Sequence, residues 1–183
     1  MSATQSSCNG LEGIQAIAFD FDGVLTDGGV WWGPAGEEWK RLSFADIMGV
    51  SLARRAGLGL ALISGEQSPL VDRYATKMCI AHVYTGCRDK APALREFATA
   101  IRIPLANICF MGDDVNDLPA MQIAGFSAAP ANAAKDVRSI VKFVSNQYGG
   151  NGAARELVDA ILSARGLRAA DVFSMTPAEN LTK

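Results

Sequence analysis

Two carboxylates stand in the run Asp20-Phe21-Asp22-Gly23-Val24-Leu25-Thr26, directly after a short apolar stretch, and a second acidic cluster, Gly112-Asp113-Asp114-Val115-Asn116-Asp117, follows another. Apolar stretches of that length read as buried parallel strands, and open α/β sheets place their ligands at the carboxyl edges of such strands. Carboxylates crowded onto one edge repel each other unless a cation sits among them. Oxygen donors with no histidine or thiolate nearby are ligands for a hard ion, which points to magnesium. A single Asp after a strand is also a common helix N-cap, but two clusters at two strand ends exceed what capping requires. Further along, Ser64-Gly65 places a hydroxyl and adjacent backbone N–H groups ahead of a helix, an arrangement suited to phosphate, and Asp89-Lys90 opens the next helix with a cation. Taken singly, the Ser-Gly pair reads as a turn and Lys90 as a surface lysine. Their order along the chain, Asp, then Ser, then Lys, then Asp-Asp, makes them a set.

The elements that must hold these residues are legible from periodicity. Short apolar runs at 15–19, 59–63, 82–84, 107–111, 126–128 and 142–144 predict strands. Between them, 46–55, 68–78, 90–101, 117–124, 133–139 and 153–164 carry apolar residues three and four apart, as helices do. This alternation predicts an α/β fold with a doubly wound, Rossmann-like parallel sheet. One stretch breaks the pattern. Residues 28–44 hold two aromatic or β-branched arms around the turn Gly33-Pro34-Ala35-Gly36, and a β-hairpin is predicted, with Val30, Trp31 and Trp32 on one arm and Trp39, Arg41 and Ser43 on the other. All 3 tryptophans of the chain lie on it, and their bulk needs a surface to cover it, either the parent domain or the hairpins of other subunits. A single domain over 14–166 is expected, with 1–13 and 167–183 as flexible termini.

Composition bounds the rest. With 183 residues, 49% hydrophobic and 20% charged, the chain suits one globular domain rather than a disordered segment. A net charge of -2 supplies no basic field for nucleic acid or anionic membranes. The longest clean apolar stretch, 56–63, is far short of the roughly 20 residues that cross a bilayer. No basic or apolar leader is seen in 1–13, so a cytoplasmic protein is expected. Cys8, Cys79, Cys87 and Cys109 form no CxxC pair, and they read as packing or incidental thiols in a reducing compartment.

The segments DFDGVLTDG, LISGE, DK and GDDVND, in that order, resemble the haloacid dehalogenase superfamily of phosphotransferases over residues 14–165. The resemblance implies that Asp20 is a nucleophile forming an aspartyl-phosphate, and that Asp22 is the acid and then the base. It further implies that Ser64 and Lys90 hold phosphoryl oxygens, and that magnesium binds Asp20, the backbone carbonyl of Asp22 and Asp113, supported by Asp114 and Asp117. An acid at Asp22 serves an alkoxide leaving group and not a halide, which favours a phosphatase over a dehalogenase. The order of motifs is wrong for a receiver domain, where the acidic pair comes first and the phosphorylated Asp comes alone later.

Neither usual insertion point has room for a cap domain. Among capless members the chain is most similar to the 3-deoxy-D-manno-octulosonate 8-phosphate phosphatases and the nonulosonate 9-phosphate phosphatases. The shared features are the LTDG hairpin, Tyr84-Thr85-Gly86-Cys87-Arg88-Asp89-Lys90, GDDVNDLPAM, Ala129-Pro130 and the run from Gly149 to Glu156. The resemblance implies a homotetramer built through hairpin 28–44, a sugar-acid phosphate substrate and a role in lipopolysaccharide biosynthesis. It implies Thr26, Gly65, Glu66, Arg73, Lys77 and Arg155 as substrate-binding residues. Two positions depart from the octulosonate pattern. Glu66 stands where an arginine is usual and, with Lys77, is more like the nonulosonate branch; Tyr74 stands where both branches carry an arginine. A noncatalytic oligomerisation module is the alternative of another class, and it would have no need of the full set Asp20, Asp22, Ser64, Lys90 and Asp113.

Overall fold

The computed structural model describes residues 10–175. Its first strand, β1 (Ala16–Phe19), is buried at every position and leads into a hairpin of β2 (Trp31–Trp32) and β3 (Glu38–Trp39). There follow α1 (Phe44–Arg55), β4 (Gly59–Ile63), α2 (Pro69–Met78), β5 (His82–Tyr84), α3 (Ala91–Ile101), β6 (Ile108–Met111), α4 (Leu118–Ile123), β7 (Phe126–Ala129), α5 (Lys135–Arg138), β8 (Phe143–Val144), α6 (Ala153–Ala164) and α7 (Ala169–Ser174). The main sheet has 6 strands in the order β5-β4-β1-β6-β7-β8, and every pairing is parallel. From β1 the chain steps outward to β4 and β5, then crosses back to the far side of β1 with β6. The reversal opens a crevice at the carboxyl ends of β4, β1 and β6, where α/β folds of this kind bind ligands.

Side-chain alternation divides the core between the two faces of the sheet. Ile17 and Phe19 of β1 pack with Val50 and Leu52 of α1, Val71 of α2, and Leu157 and Ile161 of α6. Ala16 and Ala18 point the other way, into the layer of Leu94 and Phe97 from α3, Met121 from α4 and Val137 from α5. Each such large side chain, fully buried, stabilises the fold by about 1.5–3 kcal/mol. Helix starts follow the sequence chemistry: Ser43 Oγ accepts from the Ala45 amide at 3.1 Å, and Ser68 Oγ from Leu70 at 3.3 Å with Pro69 in the first helical position.

The hairpin pairs Trp31 with Trp39 and Trp32 with Glu38, as the two-arm pattern predicts. Its tryptophans do not settle on the parent chain. Trp31, Trp32 and Trp39 are 54%, 76% and 53% exposed, and Phe44 beside them is 83% exposed.

Both expected flexible ends need correction within the described residues. Leu11 is fully buried in the core, so order begins ahead of residue 14. In the tail, α7 packs Val172 against the core and receives Arg55, whose guanidinium donates to the Met175 carbonyl at 2.9 Å and lies 5.2 Å from the Phe173 ring centre. A six-residue helix with one buried position carries no readable period, which is why 167–175 looked loose. The rest of the expected flexible termini, 1–9 with Cys8 and 176–183, lies outside the described residues. Among the described residues no helix is long and apolar enough to cross a membrane.

Candidate active site

Asp20 leaves the end of β1, Ser64 the end of β4, and Asp113 the loop after β6, so the crevice gathers three of the sequence motifs. The Asp20 amide donates to the Met111 carbonyl at 2.9 Å, extending the β1–β6 pairing up to the carboxylate. Lys90, the residue before α3, is only 1% exposed; its ammonium stands 2.6 Å from Asp20 Oδ1 and 2.5 Å from Asp117 Oδ1. Asp117 Oδ2 accepts the amides of Asp113 at 2.8 Å and Asp114 at 3.2 Å. Both oxygens of Asp117 are therefore engaged in holding Lys90 and the acidic loop. Asp114 faces solvent and caps the 3-10 turn Val115–Asp117, accepting from the Val115 amide at 2.7 Å.

One ammonium serves three clustered carboxylates. Ligand oxygens of Asp20, Asp113 and Asp117 lie within 4.8 Å of one another. Burial pushes Asp20 up to about 7 in spite of Lys90, with Asp117 adding to the rise. Burial, then repulsion from Asp20 and Asp117, pushes Asp113 up to about 8. Burial alone would lower Lys90, but Asp20 and Asp117 outweigh it and keep the ammonium charged. A divalent cation between Asp20 and Asp113 would return both to the charged form, and a donor set of oxygens alone fits a hard ion such as magnesium.

Close packing sets this gap. Gly23, at φ +82, lies so near Asp113 that an added Cβ would collide with its carboxylate. Gly23→Ala is expected to cost about 1–3 kcal/mol of stability through backbone strain and to displace Asp113 from Asp20. Urea unfolding checks this, and an unchanged unfolding free energy would show a looser approach.

Asp22 points to a cleft of about 560 Å³ between the hairpin and the start of α2, bounded by Trp32, Glu38, Lys40, Glu66 and Ser68 among others. The Lys40 ammonium is 2.9 Å from Asp22 Oδ2. Lys40 escaped the sequence reading because it looks like a solvated strand lysine. A signal was there: if Trp39 and Arg41 point outward, Glu38 and Lys40 face the other way. Ser64 is 1% exposed, accepts the Glu66 amide at 3.2 Å, and joins two loops by donating its amide to Tyr84 and accepting that of Cys87.

The substrate-binding expectations fare unevenly. Gly65 and Glu66 follow Ser64, and Glu66 lines the cleft. Thr26 is fully buried, its hydroxyl accepting the amides of Gly23 at 3.1 Å and Gly28 at 3.2 Å, so it shapes the loop that carries Asp22. Arg73 and Lys77 are exposed on α2 and line no part of this cleft. Arg155 on α6 pairs with Asp159 at 2.8 Å, again away from it. Long flexible cations give no sequence signal for which side of a helix the site occupies. Tyr74 is 2% exposed and packs edge-on against Phe21 at 5.6 Å, so no cation enters the site from that position.

Comparison with known proteins agrees with this geometry. A family model described as haloacid dehalogenase-like hydrolase matches residues 64–157. The 3-deoxy-D-manno-octulosonate 8-phosphate phosphatase of Salmonella typhi is 34% identical over 155 residues, covering 85% of this chain and 82% of that protein. Its counterpart in Haemophilus influenzae is 34% identical over 156 residues, covering 85% and 87%. Among solved structures, the Moraxella catarrhalis phosphatase of the same name, in complex with magnesium ion, phosphate ion and KDO, superposes with a TM-score of 0.86 at 32% identity over 89% of this chain and 94% of that one. With a model matching about half its length and relatives a third identical along most of theirs, the chain belongs to the haloacid dehalogenase-like hydrolase family, in its phosphatase branch.

Proposed function

We propose that this chain hydrolyses the phosphomonoester of a small sugar acid, 3-deoxy-D-manno-octulosonate 8-phosphate, through an aspartyl-phosphate on Asp20. The observation that carries this reading is the buried Asp20–Lys90–Asp117 cluster with Asp22 beside it at the cleft. Asp20 attacks phosphorus as the bond to the sugar oxygen breaks, and Asp22 gives its proton to the departing oxygen. Water then attacks the phosphoryl group, Asp22 takes its proton, and the Asp20–phosphorus bond breaks to release inorganic phosphate. Ser64 and Lys90 hold the phosphoryl oxygens in both steps. Asp20, Asp113 and the Asp22 carbonyl would hold magnesium, which when bound would supply the charge neutralisation that lets a carboxylate approach a phosphate dianion.

The names of the relatives support the octulosonate, and the single observation favouring a nonulosonate 9-phosphate is Glu66 on the cleft wall. The exposed tryptophans support a homotetramer joined through the hairpins, which would also cover a cleft that no cap domain closes, in a cytoplasmic enzyme. A noncatalytic module would have no use for a lysine buried between two carboxylates. Magnesium-dependent phosphate release from octulosonate 8-phosphate, nonulosonate 9-phosphate and hexose 6-phosphates tests the assignment. The octulosonate ester is expected to exceed the hexose esters in kcat/KM by at least about 100-fold, the scale of a site built to bind the groups the competitor lacks. A hexose phosphate turned over best would overturn the substrate and leave the chemistry standing.

A further inference from the structure

The side chain holding Asp22 most closely comes from the hairpin, outside every motif at the strand ends. Lys40 Nζ is 2.9 Å from Asp22 Oδ2 and 3.3 Å from Glu38 Oε1, and its side chain is 7% exposed. The ammonium also stands 6.0 Å from the centre of the Phe21 ring. Glu38 is itself fastened: Oε1 accepts the Ser68 hydroxyl at 3.0 Å, and Oε2 accepts the Trp32 indole N–H at 3.2 Å. Ser68 caps α2, so a continuous polar chain runs from α2 through Glu38 and Lys40 to Asp22 on the loop after β1.

Asp22 has little else to fix it. Its Oδ1 receives the Thr26 hydroxyl only at 3.5 Å, the outer limit for a hydrogen bond. The Asp22 side chain is 31% exposed, so the ion pair itself adds little to stability. What it supplies is geometry.

Resting on the reading of Asp22 as acid and base, we propose that Lys40 is a positioning residue for that proton transfer. By pinning Oδ2 it fixes the carboxylate and leaves Oδ1 for the leaving oxygen and then for water, with Glu38 holding the ammonium in register. Proton transfer needs heavy atoms roughly 2.6–3.2 Å apart, and a misplacement of about 1 Å can cost on the order of 100-fold.

Lys40→Met keeps the apolar stem and removes the ammonium. On an alkyl phosphate its kcat is expected to fall roughly 100-fold with KM within about threefold of wild type. With p-nitrophenyl phosphate, whose leaving group departs without a proton, a rapid burst of p-nitrophenolate should survive and only the following turnover should slow. Asp22→Asn should give the same split, and adding Lys40→Met to it should cost less than about threefold more, since both act on one proton. Lys40→Arg, which can still hold Oδ2, should recover most of the alkyl-phosphate turnover. If Asp22→Asn shows the split while Lys40→Met lowers burst and turnover alike, or raises KM alone, the role of Lys40 is overturned and the reading of Asp22 stands. If Asp22→Asn itself leaves alkyl-phosphate turnover intact, the reading of Asp22 fails and this proposal falls with it.

Discussion

Asp20→Asn is expected to lower turnover of every phosphomonoester by at least about 10⁴-fold, the scale on which losing a covalent nucleophile is felt. A carboxamide has nearly the shape of the carboxylate and can still accept from the Lys90 ammonium, so the loss would be chemical and not a collapse of the site. Stability should move the other way. Burial pushes the Asp20 carboxyl up to about 7, above its unfolded value of 3.8. A group raised in this way contributes stability that is full below the unfolded value and is lost as pH rises through the folded one. The uncharged variant avoids that loss, so without metal it should unfold at a higher temperature than wild type at pH 8 and lose this advantage by pH 4. Magnesium should raise the wild-type midpoint more than the variant's, because a ligand oxygen has been weakened. Initial rates with a phosphate panel and unfolding midpoints with and without magnesium check both halves. Turnover within tenfold of wild type would remove Asp20 from the role of nucleophile.

How much of this was legible beforehand depended on the range over which each feature is determined. β4 (Gly59–Ile63) matches its apolar run, and β1 and β6 differ by one residue, because buried parallel strands must be apolar on both faces; the half-buried edge strand β5 (His82–Tyr84) matches as well. Asp20, Ser64 and Asp113 follow from those strands by chain continuity alone. Lys90 was legible as part of an ordered set, though its 1% exposure and its second partner Asp117 are tertiary facts. Asp117, expected to support the metal from behind its ligands, has its oxygens engaged by Lys90 and by the amides of Asp113 and Asp114. For Lys40 and Glu38 alternation could give only the face opposite Trp39 and Arg41; that this face turns onto Asp22 is a tertiary fact. Arg73, Lys77 and Arg155 show the converse: family position places a cation on a helix, and only the fold tells which cleft that helix faces.

Lys90→Met carries the largest structural penalty expected of any single change in this site. Lys90 is buried between Asp20 at 2.6 Å and Asp117 at 2.5 Å, and its loss leaves two buried carboxylates without a counterion. Breaking a buried ion pair from one side costs about 3–5 kcal/mol, well above what removing an exposed lysine would do. The cost must depend on pH. With the ammonium gone, its lowering effect on Asp20 is gone too, so the folded carboxyl rises still further above 3.8. Stability from such a group is complete below the unfolded value and is lost on the way up. The gap between variant and wild type should therefore be small near pH 4, widen through neutrality and be greatest at pH 8, as read by urea unfolding across that range. Adding Asp117→Asn should restore part of the lost stability, since the amide oxygen can still accept from Asp113 and Asp114 while one uncompensated charge disappears. Turnover should not return with it, because the cation proposed to hold the phosphoryl group is still missing. A double variant less stable than Lys90→Met would show that Asp117 is held by its two amides alone, and that the charge balance of this cluster lies elsewhere.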